Sequence, residues 1–255
     1  MPKVTSADGT TIAYEVSGAG SPVILVGGAL NVAASTRPLA QALEHRYTVV
    51  SYDRRGRGAS TDTSPYDVAR EVDDIAALLT ALGGQAAVFG FSSGAALVVE
   101  AAAAGLPITK VVLQEPPYAQ DDAEPNEGGP AVLRFLADGR HREAVETFLT
   151  MAGMPADAAV DLAAQPGMAD LAPTLAHDFA VMGNATPGGT VPYDLIAKVT
   201  QPTLVIYGSA SPPFMIDAAR SIANALSDGQ QVELQGHQHV VPPEVLGPVV
   251  EAFLA

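Results

Sequence analysis

Short, continuously apolar runs alternate with amphipathic stretches through most of this chain, and that alternation limits its fold more tightly than any other feature. The runs 23–26, 47–51, 86–89 and 111–114 are separated by helical patterns near 35–44, 66–82 and 94–104. A strand that is apolar on both sides needs cover on both faces. Strands joined through helices run parallel, so the pattern predicts an α/β fold with a mostly parallel central sheet and helices on both faces. Ahead of this series, Lys3-Val4-Thr5 and 11–16 flank the turn signal Asp8-Gly9 and predict a hairpin. A second series closes the chain: a strand at 203–207, a helix near 213–226, a strand at 231–234 and a helix from about Glu244.

Between the two series, residues 120–190 carry no convincing strand pattern. They open on the turn-rich Asp121-Asp122-Ala123-Glu124-Pro125-Asn126-Glu127-Gly128-Gly129-Pro130 and continue with helical patterns at 131–137 and 142–151. The expected organisation is a core of 1–119 and 191–255 interrupted by a small helical cap at 120–190. Met151, Met154, Met168 and Met182, four of the chain's six methionines, fall in that insertion. Filling a small helical core is the plainer reading of them, and lining an adaptable apolar pocket is the other.

Composition narrows the chemistry. The 255 residues suffice for a substantial core. No cysteine is present, which excludes a thiolate nucleophile, a disulfide scaffold and a cysteine-ligated zinc site. The formal charge of −15 opposes nucleic-acid phosphates and anionic membranes, and its even scatter reads as solubility. The start Met1-Pro2-Lys3 lacks a basic segment followed by an apolar one, and no apolar stretch reaches the roughly 18 residues of a membrane span. These features lead us to expect a soluble, cytoplasmic protein whose partner is a small molecule, with no membrane or nucleic-acid partner. Its oligomeric state is not legible.

The motif that carries chemistry is Gly90-Phe91-Ser92-Ser93-Gly94, a G-x-S-x-G between an apolar strand signal and an apolar helix signal. A serine on such a sharp turn is pushed out of the sheet, and the helix start behind it favours developing negative charge. Ser92 is therefore the candidate nucleophile for acyl transfer. Such a serine needs a base, an orienting acid and an oxyanion hole. Of the five histidines, only His237 and His239 follow a late strand, in a loop that begins at Gly236, so one of the two is the expected base. A metal reading of His237-x-His239 is possible, but no acidic or histidine partner stands nearby in sequence to complete a ligand set.

Assembled in order, these residues resemble the α/β-hydrolase superfamily, in particular its esterase and lactonase-like members with a small helical cap. The resemblance rests on Val23-Ile24-Leu25-Val26-Gly27-Gly28-Ala29, Tyr52-Asp53-Arg54-Arg55-Gly56-Arg57-Gly58-Ala59-Ser60, the elbow at Ser92, Gln201-Pro202-Thr203-Leu204-Val205-Ile206-Tyr207-Gly208, and Gly236-His237-Gln238-His239. It implies His239, three residues after a glycine, as the catalytic histidine, and leaves His237 as a loop residue. It implies an oxyanion hole from the N–H groups of Ser93 and Ala29.

Two departures stand out. Gly27-Gly28 replaces the usual His-Gly, which keeps the tight approach but removes a histidine's support. Ser211 stands where an aspartate is common, so the expected acid is Glu115, the position some members use just before the cap, with Asp217 and Asp178 as fallbacks. The Asp53–Gly58 loop lacks the lysine of a phosphate cradle and reads as a structural turn. Phe91, Tyr118, Phe179, Met182 and Phe214 are the expected pocket residues.

The resulting expectation is a serine hydrolase for a small uncharged ester, thioester or lactone, using no cofactor and no metal. The alternatives are a slow or silent ligand-binding member, or a lyase, cyclase or perhydrolase on the same fold.

Overall fold

The computed structural model describes residues 1–119, 128–183 and 189–255. Its strands are β1 (Lys3–Thr5), β2 (Thr11–Ser17), β3 (Ser21–Val26), β4 (Tyr47–Tyr52), β5 (Ala86–Phe91), β6 (Ile108–Gln114), β7 (Thr203–Gly208) and β8 (Gly229–Leu234). They form one sheet in the order β1-β2-β4-β3-β5-β6-β7-β8. The first two strands make the expected hairpin, and β2 runs antiparallel to β4. Every other pairing is parallel.

Strand β8 starts two residues ahead of the expected 231–234. Its first three residues, Gly229, Gln230 and Gln231, are exposed and pair with Thr203, Leu204 and Val205. At the sheet edge, backbone pairing alone extends the strand, and side-chain polarity hides it from a reading of the pattern.

Helices α1 (Ala33–Leu43), α2 (Val68–Ala81) and α3 (Ser93–Ala103) fall in the first series, close to the expected bounds. The helical segment after β6 comprises α4 (Gly128–Ala137), α5 (His141–Met151), α6 (Ala156–Ala163), α7 (Met168–Leu171), α8 (Leu175–Val181) and α9 (Tyr193–Ile196). Helices α10 (Pro213–Ala225) and α11 (Pro243–Leu254) complete the last series. Of the turn-rich stretch, Asp121 to Glu127 lie outside the described residues.

Alternate residues of the central strands feed two separate cores, because successive strand side chains point to opposite faces. Ile24, Val26, Val50, Val88 and Leu113 pack with Ile75 of α2, Leu97 of α3 and Ile222 of α10. Val23, Leu25, Val49, Phe89 and Val112 pack with Leu39 and Leu43 of α1 and with Leu246 and Val250 of α11. Helix α8 packs against α2 and α3, and its Leu175 and Phe179 join the first core. The C-terminal ends of β3, β5, β6, β7 and β8 therefore lie side by side in a buried frame, where the loops that follow them meet. Among the described residues, no helix is long and apolar enough to cross a membrane.

Candidate active site

The turn from β5 into α3 is strained at one residue. Ser92 has φ 55° and ψ −124°, a conformation that non-glycine residues rarely adopt. Both motif glycines are required by space: a Cβ on Gly90 would lie 2.6 Å from the Cα of Ala95, and one on Gly94 would lie 2.4 Å from the carbonyl oxygen of Val26. The Ser92 N–H donates to the carbonyl of Gln114, which ties the turn to β6. The hydroxyl of Ser92 therefore sits at the start of α3, on a backbone held by packing from three sides.

Glu115 follows β6 directly, is fully buried and also has a positive φ, 46°. Its Oε1 accepts from the Gly208 N–H at 2.7 Å and from the Ser211 hydroxyl at 2.5 Å. Its Oε2 lies 2.5 Å from Nδ1 of His239, in the loop after β8. Burial alone would raise this carboxyl, but the bonds from His239, Gly208 and Ser211 outweigh it and hold Glu115 below the usual glutamate value. The carboxylate therefore stays ionised. The His239 backbone is anchored by Gln114, whose amide donates to its carbonyl at 3.1 Å. The Phe91 ring lies 4.7 Å from the imidazole, centroid to centroid.

The two fallback acids lie elsewhere. Asp217 is exposed on α10. Asp178 is fully buried but faces cations: its carboxylate bonds the guanidinium groups of Arg54 and Arg57 and accepts from the Ser93 hydroxyl at 2.7 Å. His237 contributes backbone, its carbonyl accepting from Ala210 N–H. Among the described residues, no three His, Asp or Glu side chains converge as a metal site.

Ser92 and Ser93 open onto a small cavity of about 80 Å³, lined by Phe148, Met151, Phe179, Met182, Phe214 and Met215. The lining side chains carry no charge. Three of the expected pocket residues, Phe179, Met182 and Phe214, are among them. Phe91 instead lines a second cavity between α1 and α11. Tyr118 is buried in the core; its hydroxyl has no hydrogen-bond partner among the described residues, and burial pushes its phenol up.

Gly28 packs against Ser92: a Cβ there would lie 3.0 Å from the Cβ of Ser92 and from the carbonyl of Phe91. The neighbouring Ala29 is half-buried. The support a histidine would give this loop comes from other groups. Asn31 accepts from Gly28 N–H and donates to Ala29 carbonyl, while Arg57 donates to Gly28 carbonyl at 2.6 Å. Sequence reasoning missed Arg54, Arg57 and Asn31. The available signal was a pair of arginines three apart, directly after a strand, in a chain with only 13 cations.

A mostly parallel eight-stranded sheet, with a strained serine at one strand end and a histidine–glutamate pair at two others, is the architecture of the α/β hydrolases. The chain belongs to the alpha/beta hydrolase family, whose sequence profile matches residues 18–251. It is similar over its full length to an alpha/beta hydrolase from Sphaerobacter thermophilus, 44% identical, with 100% of both chains covered and a TM-score of 0.91. A thermophilic esterase from Thermogutta terrifontis shares the fold at 20% identity and a TM-score of 0.77, over 99% of this chain and 97% of that one. The uncharacterized hydrolase YraK of Bacillus subtilis is 39% identical over 93 residues, 35% of this chain and 34% of its own. The chain spans about a third of the length of the curated relatives it matches.

Proposed function

We propose that this hydrolase is a serine enzyme that cleaves a small, uncharged ester, thioester or lactone through an acyl-enzyme on Ser92. Ser92 Oγ attacks the carbonyl carbon while Nε2 of His239 takes its proton. Glu115 accepts from Nδ1–H, which fixes the tautomer and stabilises the imidazolium. The N–H groups of Ala29 and Ser93 hold the oxyanion. His239 then returns the proton to the departing alcohol or thiol, and water repeats the sequence to release the acid and regenerate Ser92. The helical segment 120–190 acts as the cap, and its apolar lining receives the acyl group.

The observation that carries this reading is the Glu115–His239 pair. A fully buried carboxylate meets an imidazole nitrogen at 2.5 Å, and Ser92, held at φ 55°, follows β5, the strand next to β6. A carboxylate bonded to Nδ1 leaves Nε2 of His239 as the basic nitrogen, which is what general-base catalysis requires.

The test is turnover of p-nitrophenyl acetate, butyrate and hexanoate, a phenyl thioester and a γ-lactone by the wild type and by Ser92→Ala. The expected result is hydrolysis of at least one class, with kcat reduced by about 10⁴-fold or more in the variant. Equal turnover by Ser92→Ala would overturn the proposal.

A further inference from the structure

Behind the candidate oxyanion donors lies a buried cluster of two guanidinium groups and two carboxylates, with Arg54, Arg57 and Glu71 each 1% exposed and Asp178 fully buried. Arg54 bonds both oxygens of Glu71, at 2.6 and 3.0 Å, and Asp178 at 2.8 Å. Arg57 bonds both oxygens of Asp178 at 2.8 Å and the Thr174 hydroxyl at 3.1 Å. The cluster is balanced in charge, yet assembling four ions away from water is expensive. Well-packed apolar side chains of similar volume are often at least as stabilising. Its placement therefore calls for an account beyond stability.

Apart from the Tyr66 hydroxyl, which donates to Glu71 at 2.6 Å, the uncharged core groups that the cluster's side chains bond belong to the two segments that would supply the oxyanion donors. Arg57 donates to the Gly28 carbonyl at 2.6 Å and to the Asn31 carbonyl at 3.3 Å. Arg54 donates to the Ser93 hydroxyl at 3.2 Å and to the Gly27 carbonyl at 3.4 Å. Ser93 in turn donates to Asp178 at 2.7 Å. The Gly28 carbonyl and the Ala29 N–H are the two ends of one planar, trans peptide unit, so they point in opposite directions. A carbonyl fixed on Arg57 turns the N–H away from the cluster. A charge-assisted bond to the carbonyl also draws electron density from the peptide and makes its N–H a stronger donor. Ser93 is the first residue of α3, where backbone N–H groups have no acceptor within the helix, and its side chain is held by the same cluster.

We infer that Arg54, Arg57 and Asp178 are positioning residues that aim and polarise the Ala29 and Ser93 N–H groups, and that Asp178 makes this alignment depend on seating of the helical segment. None of the three touches substrate; they act through the Gly28–Ala29 peptide and Ser93. The inference rests on the reading of Ser92 as an acyl-transfer nucleophile. Thr174 and Asp178, on the helical segment, complete the cluster, so lifting α8 away leaves the Arg57 guanidinium without its carboxylate and the Ser93 hydroxyl without its acceptor.

The test compares the wild type with Arg57→Lys, Asp178→Asn and Ser93→Ala, measuring kcat and KM on the best p-nitrophenyl ester and affinity for a trifluoromethyl ketone bearing the same acyl group. That ketone is attacked by serine to give a tetrahedral oxyanion, so it reports the hole directly. Ser93→Ala keeps the backbone N–H and removes only the anchor, which makes it the variant that folds if the buried-charge variants do not. The expected result is a kcat lower by about 10- to 100-fold with KM within about threefold, and ketone affinity weakened in parallel, since a misaimed donor loses part of what a deleted one loses. Unchanged kcat and ketone affinity in folded variants of an active wild type would overturn the inference and leave the hydrolase reading standing. A wild type that neither turns over esters nor binds the ketone would overturn that reading, and the inference with it.

Discussion

Replacing Glu115 by glutamine keeps the side chain's shape and removes its charge. The amide would still accept from Gly208 and Ser211, but it would no longer stabilise an imidazolium or hold one tautomer of His239. Glu115→Gln is expected to lower kcat by about 10³- to 10⁴-fold with the fold intact, measured on the same ester as the wild type. Ser211→Ala removes one of the three groups bonded to that carboxylate and should lower kcat by about tenfold, the scale of one hydrogen bond to a charged group. Undiminished kcat in both variants would remove Glu115 from the mechanism. Ser92 was marked in the sequence by its strand-to-helix glycine turn, while the glycine-led loop narrowed the base to His237 or His239 and the resemblance chose His239. The Glu115–His239 contact spans 124 positions and has no local signal; the family resemblance implied Glu115 as the acid, and the order β6, β7, β8 is what brings the two together. The partners of Arg57, 29 and 121 positions away, left no trace in local pattern.

Helices α5 and α8 set the shape of the cavity, since Phe148 and Met151 come from one and Phe179 from the other, with the two phenyl rings edge to face at 6.1 Å. Met151, half-buried at the end of α5, can be shortened with little loss of packing. Met151→Ala should shift the preferred acyl chain toward longer esters by about tenfold in the ratio of kcat/KM, the scale of one or two methylenes in an apolar pocket. An unchanged chain-length profile would place the acyl group elsewhere.

The turn into α3 makes a demand on stability: Gly94→Ala should cost about 1–3 kcal/mol in urea unfolding, because the new Cβ meets the Val26 carbonyl. At this scale the strands and the flanking helices followed from apolar alternation. The packing of α4 to α9 did not, since short amphipathic helices with alanine-rich faces fit together in many ways.

The whole molecule carries a formal charge of −15 while burying Arg54 against Glu71, so its stability at low pH depends on that pair. Burial raises Glu71, but the charge and hydrogen bonds of Arg54 outweigh it and hold the carboxyl at about 2, against an ordinary 4.5. The unfolded chain therefore binds this proton first as the pH falls. Stability from Glu71 is complete above about pH 4.5 and is lost toward pH 2, about 3 kcal/mol in all. Glu71→Gln should be less stable than wild type at pH 7, and the gap should narrow as the pH drops from 4.5 to 3; a gap independent of pH would contradict the account.

The central claim, that Ser92 is activated by His239, is tested most directly by intact-mass analysis after exposure to a small fluorophosphonate. The account predicts a single covalent adduct that maps to Ser92, is absent in Ser92→Ala, and forms far more slowly in His239→Ala. An adduct on another residue, or one that forms equally fast without His239, would contradict it.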